Sequence, residues 1–209
     1  PAKYRRGLGQ ERMAVAPPDE DAVTLAAAAA QACLEGIDRD DLGMVIVATE
    51  SAVDQSKAAA VYVHGLLQLP ATCQAVEVKQ ACCGGALALQ MALDRVAREP
   101  GRKVLVLATD VARYALGSPA EPTQGAGAAA VLVSARPALL EVGPLTGAYT
   151  ADVTDFWRPP GRRLPVVNGK QSVAEYLKAL QQCWADYRVR GGQPLTAFAA
   201  LCCHQPFTR

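Results

Sequence analysis

The chain has 209 residues, of which 51% are hydrophobic and 20% are charged, and its formal net charge is +1 at pH 7. This composition excludes a disordered chain and is sufficient for a buried core, and the near-zero charge gives no reason to expect nucleic acid or an anionic membrane as partner. The sequence contains no apolar run of the ~20 residues that span a bilayer, and "PAKYRRGLGQERM" lacks the apolar stretch of a signal peptide, so we expect a cytoplasmic protein.

Helical and strand-like segments alternate along the chain. Acidic residues before an alanine-rich run predict a helix ended by Gly36, and the apolar run "LGMVIVAT" is typical of a buried strand. The Pro/Gly-rich residues 156–170 indicate a long loop. We predict helices over about 20–35, 54–69, 82–98 and 172–189, and strands over about 42–49, 74–79, 104–109, 125–135, 138–145 and 198–203.

The alternation of strands with helices favours the α/β class with a largely parallel sheet. Residues 125–135 and 138–145 are close enough in sequence to pair as antiparallel neighbours.

The seven cysteines do not resemble a disulfide framework, because their number is odd and no secretory signal is visible. The sequence has no C-x-x-C pair, and its only histidines are His64 and His204. These spacings do not match a structural zinc site, so we expect no metal.

Two adjacent cysteines, Cys82 and Cys83, lie where a predicted strand runs into a predicted helix in "VEVKQACCGG". Cysteines are often small buried packing residues, and that interpretation stays open. A helix N-terminus, however, provides positive potential that favours thiolate over thiol. One of the two is therefore a candidate nucleophile.

Two further polar residues follow predicted strands: Glu50 in "ATESAVDQSK" and His204 in "CCHQPFTR". Ligands of open α/β sheets bind at the carboxyl ends of the strands. Both residues also have structural explanations, because Ser51 and Asp54 suit a solvated helix cap and a neutral imidazole packs well with one hydrogen bond. A Cys, a Glu and a His at strand ends are nevertheless the residue types of an acyl-transfer or condensing site.

Nine stretches occur in one particular order along nearly the whole chain. They are "KYRRGLGQERMAV", "EDAVTLAA", "ATESAVDQSKAAAVYVHGLL", "EVKQACCGG", "VLVLATDVARY", "EPTQGAGAAAVLVS", "DVTDFWRPPG", "VNGKQSVAEYL" and "HQPFTR". Each is short, but the ordered set is specific, and it resembles the bacterial 3-hydroxy-3-methylglutaryl-CoA synthases of the thiolase superfamily.

The resemblance implies a thiolase-like α/β fold, in which two similar halves form a layered α-β-α-β-α sandwich. We expect residues 1–160 to be the first half without its first strand, and residues 161–209 to begin the second half. Relatives continue beyond the position of Arg209, so the resemblance implies a partial chain. It also implies a homodimer, or a second chain that supplies the missing half.

The family's catalytic positions fall on three residues of this sequence. The resemblance implies that Cys82 is the nucleophile, Glu50 the general base and His204 the residue that binds the acceptor. Cys83 departs from the family, which usually has tyrosine there, and we expect it beside the acyl group. The acidic positions that support the active-site geometry fall on Asp54, Asp110 and Asp155.

The implied reaction condenses acetyl-CoA with acetoacetyl-CoA through an acetyl-cysteine, as in the mevalonate pathway, with no metal or redox cofactor. One alternative is a polyketide β-branching synthase that takes its acyl groups from acyl carrier protein. "DQSKAAAVYVH", "PTQGAGA" and "DFWRP" resemble the CoA-dependent enzymes more closely. A non-catalytic thiolase-like subunit is a third possibility, and the joint presence of the Cys, Glu and His argues against it.

Overall fold

The structure is a computed structural model that describes residues 2–205, and the side chains of residues 4–205. The last four letters of the "HQPFTR" motif, residues 206–209, therefore lie outside the described residues. The chain divides into two compact units. The sheet unit comprises residues 12–112 and 124–139, and the helical unit comprises residues 1–11, 113–123 and 140–209.

The sheet unit contains a four-stranded sheet in the order β2-β1-β3-β4. Strand β1 pairs in parallel with β2 on one side and with β3 on the other, and β4 is antiparallel to β3. The strands are β1 (Leu42–Ala48), β2 (Gln74–Val78), β3 (Lys103–Ala112) and β4 (Gly125–Val133). The predicted α/β class with a largely parallel sheet is confirmed.

Helices cover both faces of this sheet: α2 (Ala22–Cys33) and α3 (Ala59–Leu66) contribute to one core, and α4 (Gly84–Arg98) contributes to the other. Strand β1 alternates between the two cores, with Val45 and Val47 in the first and Ile46 in the second. Parallel strands buried on both faces are continuously apolar, which is why the run "LGMVIVAT" is visible in the sequence.

The helical unit contains α1 (Ala2–Leu8), a short hairpin of β5 (Phe156–Trp157) and β6 (Val166–Val167), and the long helix α5 (Gly169–Val189). The predicted helix over 172–189 is confirmed. The loop predicted over 156–170 is ordered at both ends by the two-residue strands of the hairpin.

Three predicted elements differ from the structure. The helix predicted over 54–69 begins only at Ala59, because Asp54 instead accepts hydrogen bonds from nearby backbone N–H groups in a turn. Residues 138–145 form no strand, and the antiparallel neighbour of β4 is β3. Residues 198–203 also form no strand. An apolar run becomes a strand only where another strand provides its hydrogen-bond partners.

Candidate active site

The candidate residues of the sheet unit lie at the carboxyl edge of three neighbouring strands. Glu50 comes two residues after β1, whose last residue, Ala48, is level with Val78 of β2 and Ala108 of β3. The turn that contains Cys82 follows β2 after a short connection. The parallel register therefore brings the Glu50 segment and the cysteine turn to the same edge, as expected for a ligand site of an α/β sheet.

The two cysteines lie in a single 3-10 turn, Ala81–Cys83, directly before α4, and both are exposed. The turn is entered through Ala81 in the left-handed region, at φ 41°, a conformation that costs about 1–2 kcal/mol for a residue with a Cβ. Strained backbone of this kind often occurs at functional sites. The turn leads directly into the N-terminus of α4, where the first N–H groups of the helix carry partial positive charge.

The glycines after the cysteines bring the start of α4 close to the sheet. A Cβ added at Gly84 would lie 3.3 Å from the Cβ of Ala48, and one added at Gly85 would lie 3.3 Å from the Cβ of Ala108. Larger residues would push α4 away from β1 and β3. The "GG" of the motif thus allows the backbone of α4 to lie close to β1 and β3, which holds the cysteine turn against the edge of the sheet.

The Glu50 segment is fixed by one carboxylate from the neighbouring strand. Asp110 Oδ1 accepts hydrogen bonds from the backbone N–H groups of Glu50 (2.9 Å) and Ser51 (3.0 Å), and from the hydroxyls of Thr49 (2.9 Å) and Ser51 (2.7 Å). Ser51 Oγ in turn accepts from the N–H of Val111 at 2.9 Å. These bonds join positions about 60 residues apart in sequence, and they hold the half-buried Glu50 at the end of β1.

Asp54 organises the loop after Glu50. Its Oδ1 accepts from the backbone N–H groups of Ser56 at 2.7 Å and Lys57 at 2.8 Å. These two bonds, that of Lys57 first, lower the pKa of the Asp54 carboxyl. Asp54 therefore shapes the loop that leads into α3, and its side chain is exposed.

The remaining predicted site residues belong to the helical unit. His204 is exposed, and its carbonyl accepts a hydrogen bond from the hydroxyl of Tyr176 on α5 at 3.2 Å. Asp155 Oδ2 accepts from Ser172 Oγ at 2.6 Å, and the Asp155 carbonyl accepts from the N–H of Asn168 at 2.7 Å. Asp155, which directly precedes β5, is thus hydrogen-bonded to the start of α5.

The seven cysteines all lie within the described residues, and none is joined in a disulfide. Cys82, Cys83, Cys202 and Cys203 are exposed, whereas Cys73 is buried. Burial raises the pKa of the Cys73 thiol, which makes it a poor nucleophile. Within residues 2–205, no group of three or more His, Cys, Asp or Glu side chains is placed to hold a metal ion.

The sequence did not single out Thr49 as a member of the site, and it assigned Ser51 only to a helix cap. Both hydroxyls donate to Asp110. Their position next to Glu50 in "ATES" was visible, but the partner on β3 was not.

Among the described helices, none combines the length and apolarity needed to cross a bilayer.

Residues 1–138 match the family model described as hydroxymethylglutaryl-coenzyme A synthase N terminal. The chain belongs to the hydroxymethylglutaryl-coenzyme A synthase family. The resemblance found in the sequence motifs is therefore confirmed at the level of the family.

Known members of the family are similar over the whole chain. A hydroxymethylglutaryl-CoA synthase of Enterococcus faecalis is 44% identical over 209 residues, which are 100% of this chain and 55% of the relative. A crystal structure of an HMG-CoA synthase complexed with CoA superposes with a TM-score of 0.94 at 46% identity, over 98% of this chain and 53% of that one. The thiolase-like α/β fold is thus confirmed.

A polyketide member of the family is also similar. The 3-hydroxy-3-methylglutaryl-ACP synthase PksG of Bacillus subtilis is 34% identical over 232 residues, covering 99% of this chain and 55% of the relative. The chain spans about half the length of these relatives.

Proposed function

We propose that this chain provides the acyl-transfer half of a hydroxymethylglutaryl-CoA synthase, which condenses acetyl-CoA with acetoacetyl-CoA. The observation that carries the proposal is the fixed placement of the Glu50 segment by Asp110 at the same sheet edge as the Cys82 turn. A base and a nucleophile on rigid, adjacent elements suit a reaction in which one group receives an acyl chain and the other removes a proton from it.

In the first half-reaction, the Cys82 thiolate attacks the carbonyl carbon of acetyl-CoA. The thioester bond to CoA breaks, CoA leaves as a thiol after taking up a proton, and the acetyl group is bound to Cys82. The exposed position of Cys82 before α4 gives a substrate access to its sulfur.

In the second half-reaction, the Glu50 carboxylate removes a proton from the methyl group of acetyl-Cys82. The resulting enolate forms a carbon–carbon bond to the ketone carbon of acetoacetyl-CoA, and the ketone oxygen takes up a proton. His204 is proposed to bind and polarise this acceptor. Water then hydrolyses the thioester to Cys82, which releases 3-hydroxy-3-methylglutaryl-CoA and regenerates the thiol.

The proposal needs no metal and no redox cofactor, because the steps are an acyl transfer, proton transfers, one carbon–carbon bond formation and the hydrolysis of a thioester, and none of them changes the number of electrons. We propose a homodimer in the cytoplasm, where the Cys82 thiol stays reduced. Light scattering of the purified full-length gene product tests the dimer, and cell fractionation tests the location.

A Glu50→Ala variant of the full-length gene product tests the assignment of the base. After incubation with acetyl-CoA, we expect mass spectrometry to detect the acetyl group on the peptide with Cys82, as in the wild type. We expect condensation with acetoacetyl-CoA to be lost, because no carboxylate removes the methyl proton. Loss of acetylation together with condensation would instead assign Glu50 to binding or to structure.

The second candidate function is condensation with thioesters of acyl carrier protein. The similarity to PksG of Bacillus subtilis favours it, although that identity, 34%, is lower than the 44% shared with the Enterococcus enzyme. Parallel assays with acetyl-CoA and with an acetylated carrier protein distinguish the two functions. Efficient labelling of Cys82 only by the carrier-protein thioester would replace the first proposal by the second.

A further inference from the structure

The segment that contains Glu50 is hydrogen-bonded at both of its ends to two neighbouring residues of β2. At its first end, the N–H of Thr49 donates to the carbonyl of Val78 at 3.2 Å. At its far end, the N–H of Ala59 donates to Glu77 Oε2 at 2.6 Å. Residues 49–59, called the Glu50 loop below, thus begin and end on the last two residues of one strand.

The bond from Ala59 satisfies one of the N–H groups at the start of α3 that have no acceptor within the helix. Helix α3 begins after Ala58, which has no side chain able to accept a hydrogen bond, and no cap bond is made there. A Ser, Thr, Asp or Asn at that position normally accepts from the second or third N–H of the helix. Here the acceptor comes from Glu77 on β2, 18 residues away in sequence, so capping of α3 also fixes where the Glu50 loop ends.

We propose that Glu77 is a positioning residue for the general base Glu50. Asp110 and Val78 hold the first end of the Glu50 loop, and Glu77 holds the last. Fixing both ends of a short loop restricts the conformations open to the residues between them. The same strand β2 leads to the Cys82 turn. The bond from Ala59 to Glu77 therefore also helps to fix the position of the base relative to the nucleophile. This inference rests on the proposed function of Glu50.

The competing explanation is that Glu77 only stabilises α3. Asp21 provides a matched control, because it caps α2 of the same unit and its Oδ1 accepts from the N–H groups of Val23 (2.8 Å) and Thr24 (2.9 Å). Loss of either cap should lower the stability of the protein, which thermal unfolding measures. Of these two capping carboxylates, Glu77 is the one bonded to the Glu50 loop.

The experiment compares Glu77→Ala, Glu77→Gln and Asp21→Ala in the full-length gene product. For Glu77→Ala we expect acetylation of Cys82 at near the wild-type rate and condensation reduced about tenfold to a hundredfold, because the base is no longer held in place. Glu77→Gln keeps an oxygen that accepts from Ala59, so we expect it to restore most of the condensation rate. Asp21→Ala should leave both half-reactions near wild type.

Hydrogen exchange gives a measurement that does not depend on activity. We expect the amides of residues 51–58 to exchange faster in Glu77→Ala, and to be unchanged in Asp21→Ala. Equal exchange and equal condensation in the two alanine variants would overturn the proposal, and so would a Glu77→Gln variant as impaired as Glu77→Ala. If the wild type never acetylates Cys82, the proposed function fails. The role of Glu77 in holding the Glu50 loop is tested separately, and unchanged hydrogen exchange of residues 51–58 in Glu77→Ala would overturn it.

Discussion

Replacement of Asp110 by alanine removes the acceptor that fixes the Glu50 segment. The hydroxyls of Thr49 and Ser51 lie 3.4 Å apart and can turn towards each other, and the N–H of Ser51 keeps Thr49 Oγ1 as a partner at 3.1 Å. The N–H of Glu50 loses the acceptor that it has in Asp110. A buried N–H that loses its acceptor costs about 1–3 kcal/mol, and because Glu50 is half-buried, the lower to middle part of that range applies.

A loss near the middle of that range is about 2 kcal/mol. If the whole loss disfavours the productive position of Glu50, the rate of condensation decreases about 30-fold. We therefore expect Asp110→Ala to slow condensation by about that factor. The rate of Cys82 acetylation should change much less, because none of the four bonds to Asp110 Oδ1 involves the cysteine turn.

The assay measures the two half-reactions separately in the full-length gene product. Mass spectrometry follows the acetyl group on Cys82, and loss of acetoacetyl-CoA follows condensation. Asp110→Asn, whose amide oxygen accepts the same bonds without charge, should lie between Asp110→Ala and the wild type. An Asp110→Ala variant that condenses within about threefold of the wild type, or that loses acetylation to the same extent as condensation, would refute the reasoning.

Three further outcomes are expected. His204→Ala should weaken acetoacetyl-CoA binding far more than acetyl transfer, and equal damage to both half-reactions would count against an acceptor-specific role. Peptide mapping after acetyl-CoA treatment should find the label on Cys82, so that Cys82→Ser loses it and Cys83→Ser retains it; a label on Cys83 would reverse the assignment. Alkylation at neutral pH should modify Cys73 more slowly than the exposed cysteines, because burial both covers its thiol and raises its pKa, and equal rates under native conditions would contradict this.

The placement of single elements followed from the sequence where local physics is decisive. The apolar run of β1 predicted a strand buried on both faces, and the acidic residues before the alanine run predicted α2, which Asp21 caps. The strand-to-helix position of Cys82 was likewise predicted, because glycines and an amphipathic run follow it. The catalytic roles came from the resemblance of ordered motifs, and these roles stay predictions.

Pairing across the sheet was decided only by the tertiary structure. Asp110 and Glu50 are 60 residues apart, and the sequence contains no periodicity that relates them. The parallel register of β1 and β3 places both at one edge. From the sequence, Glu77 is an ordinary polar residue of a predicted strand. It accepts the hydrogen bond from the start of α3 only in the folded protein, where β2 is paired with β1.

Strand prediction was wrong at 138–145 for the same physical reason. The apolar letters of that segment suit a strand, but its residues pair with no strand of the described sheet, and Leu139 and Leu140 are 95% and 83% exposed. Hydrogen-bond partners for a strand come from another part of the chain, and a single segment does not encode which partner is available. Local sequence thus determined where helices and strands of this protein can form, and long-range pairing determined which of them formed and which side chains met.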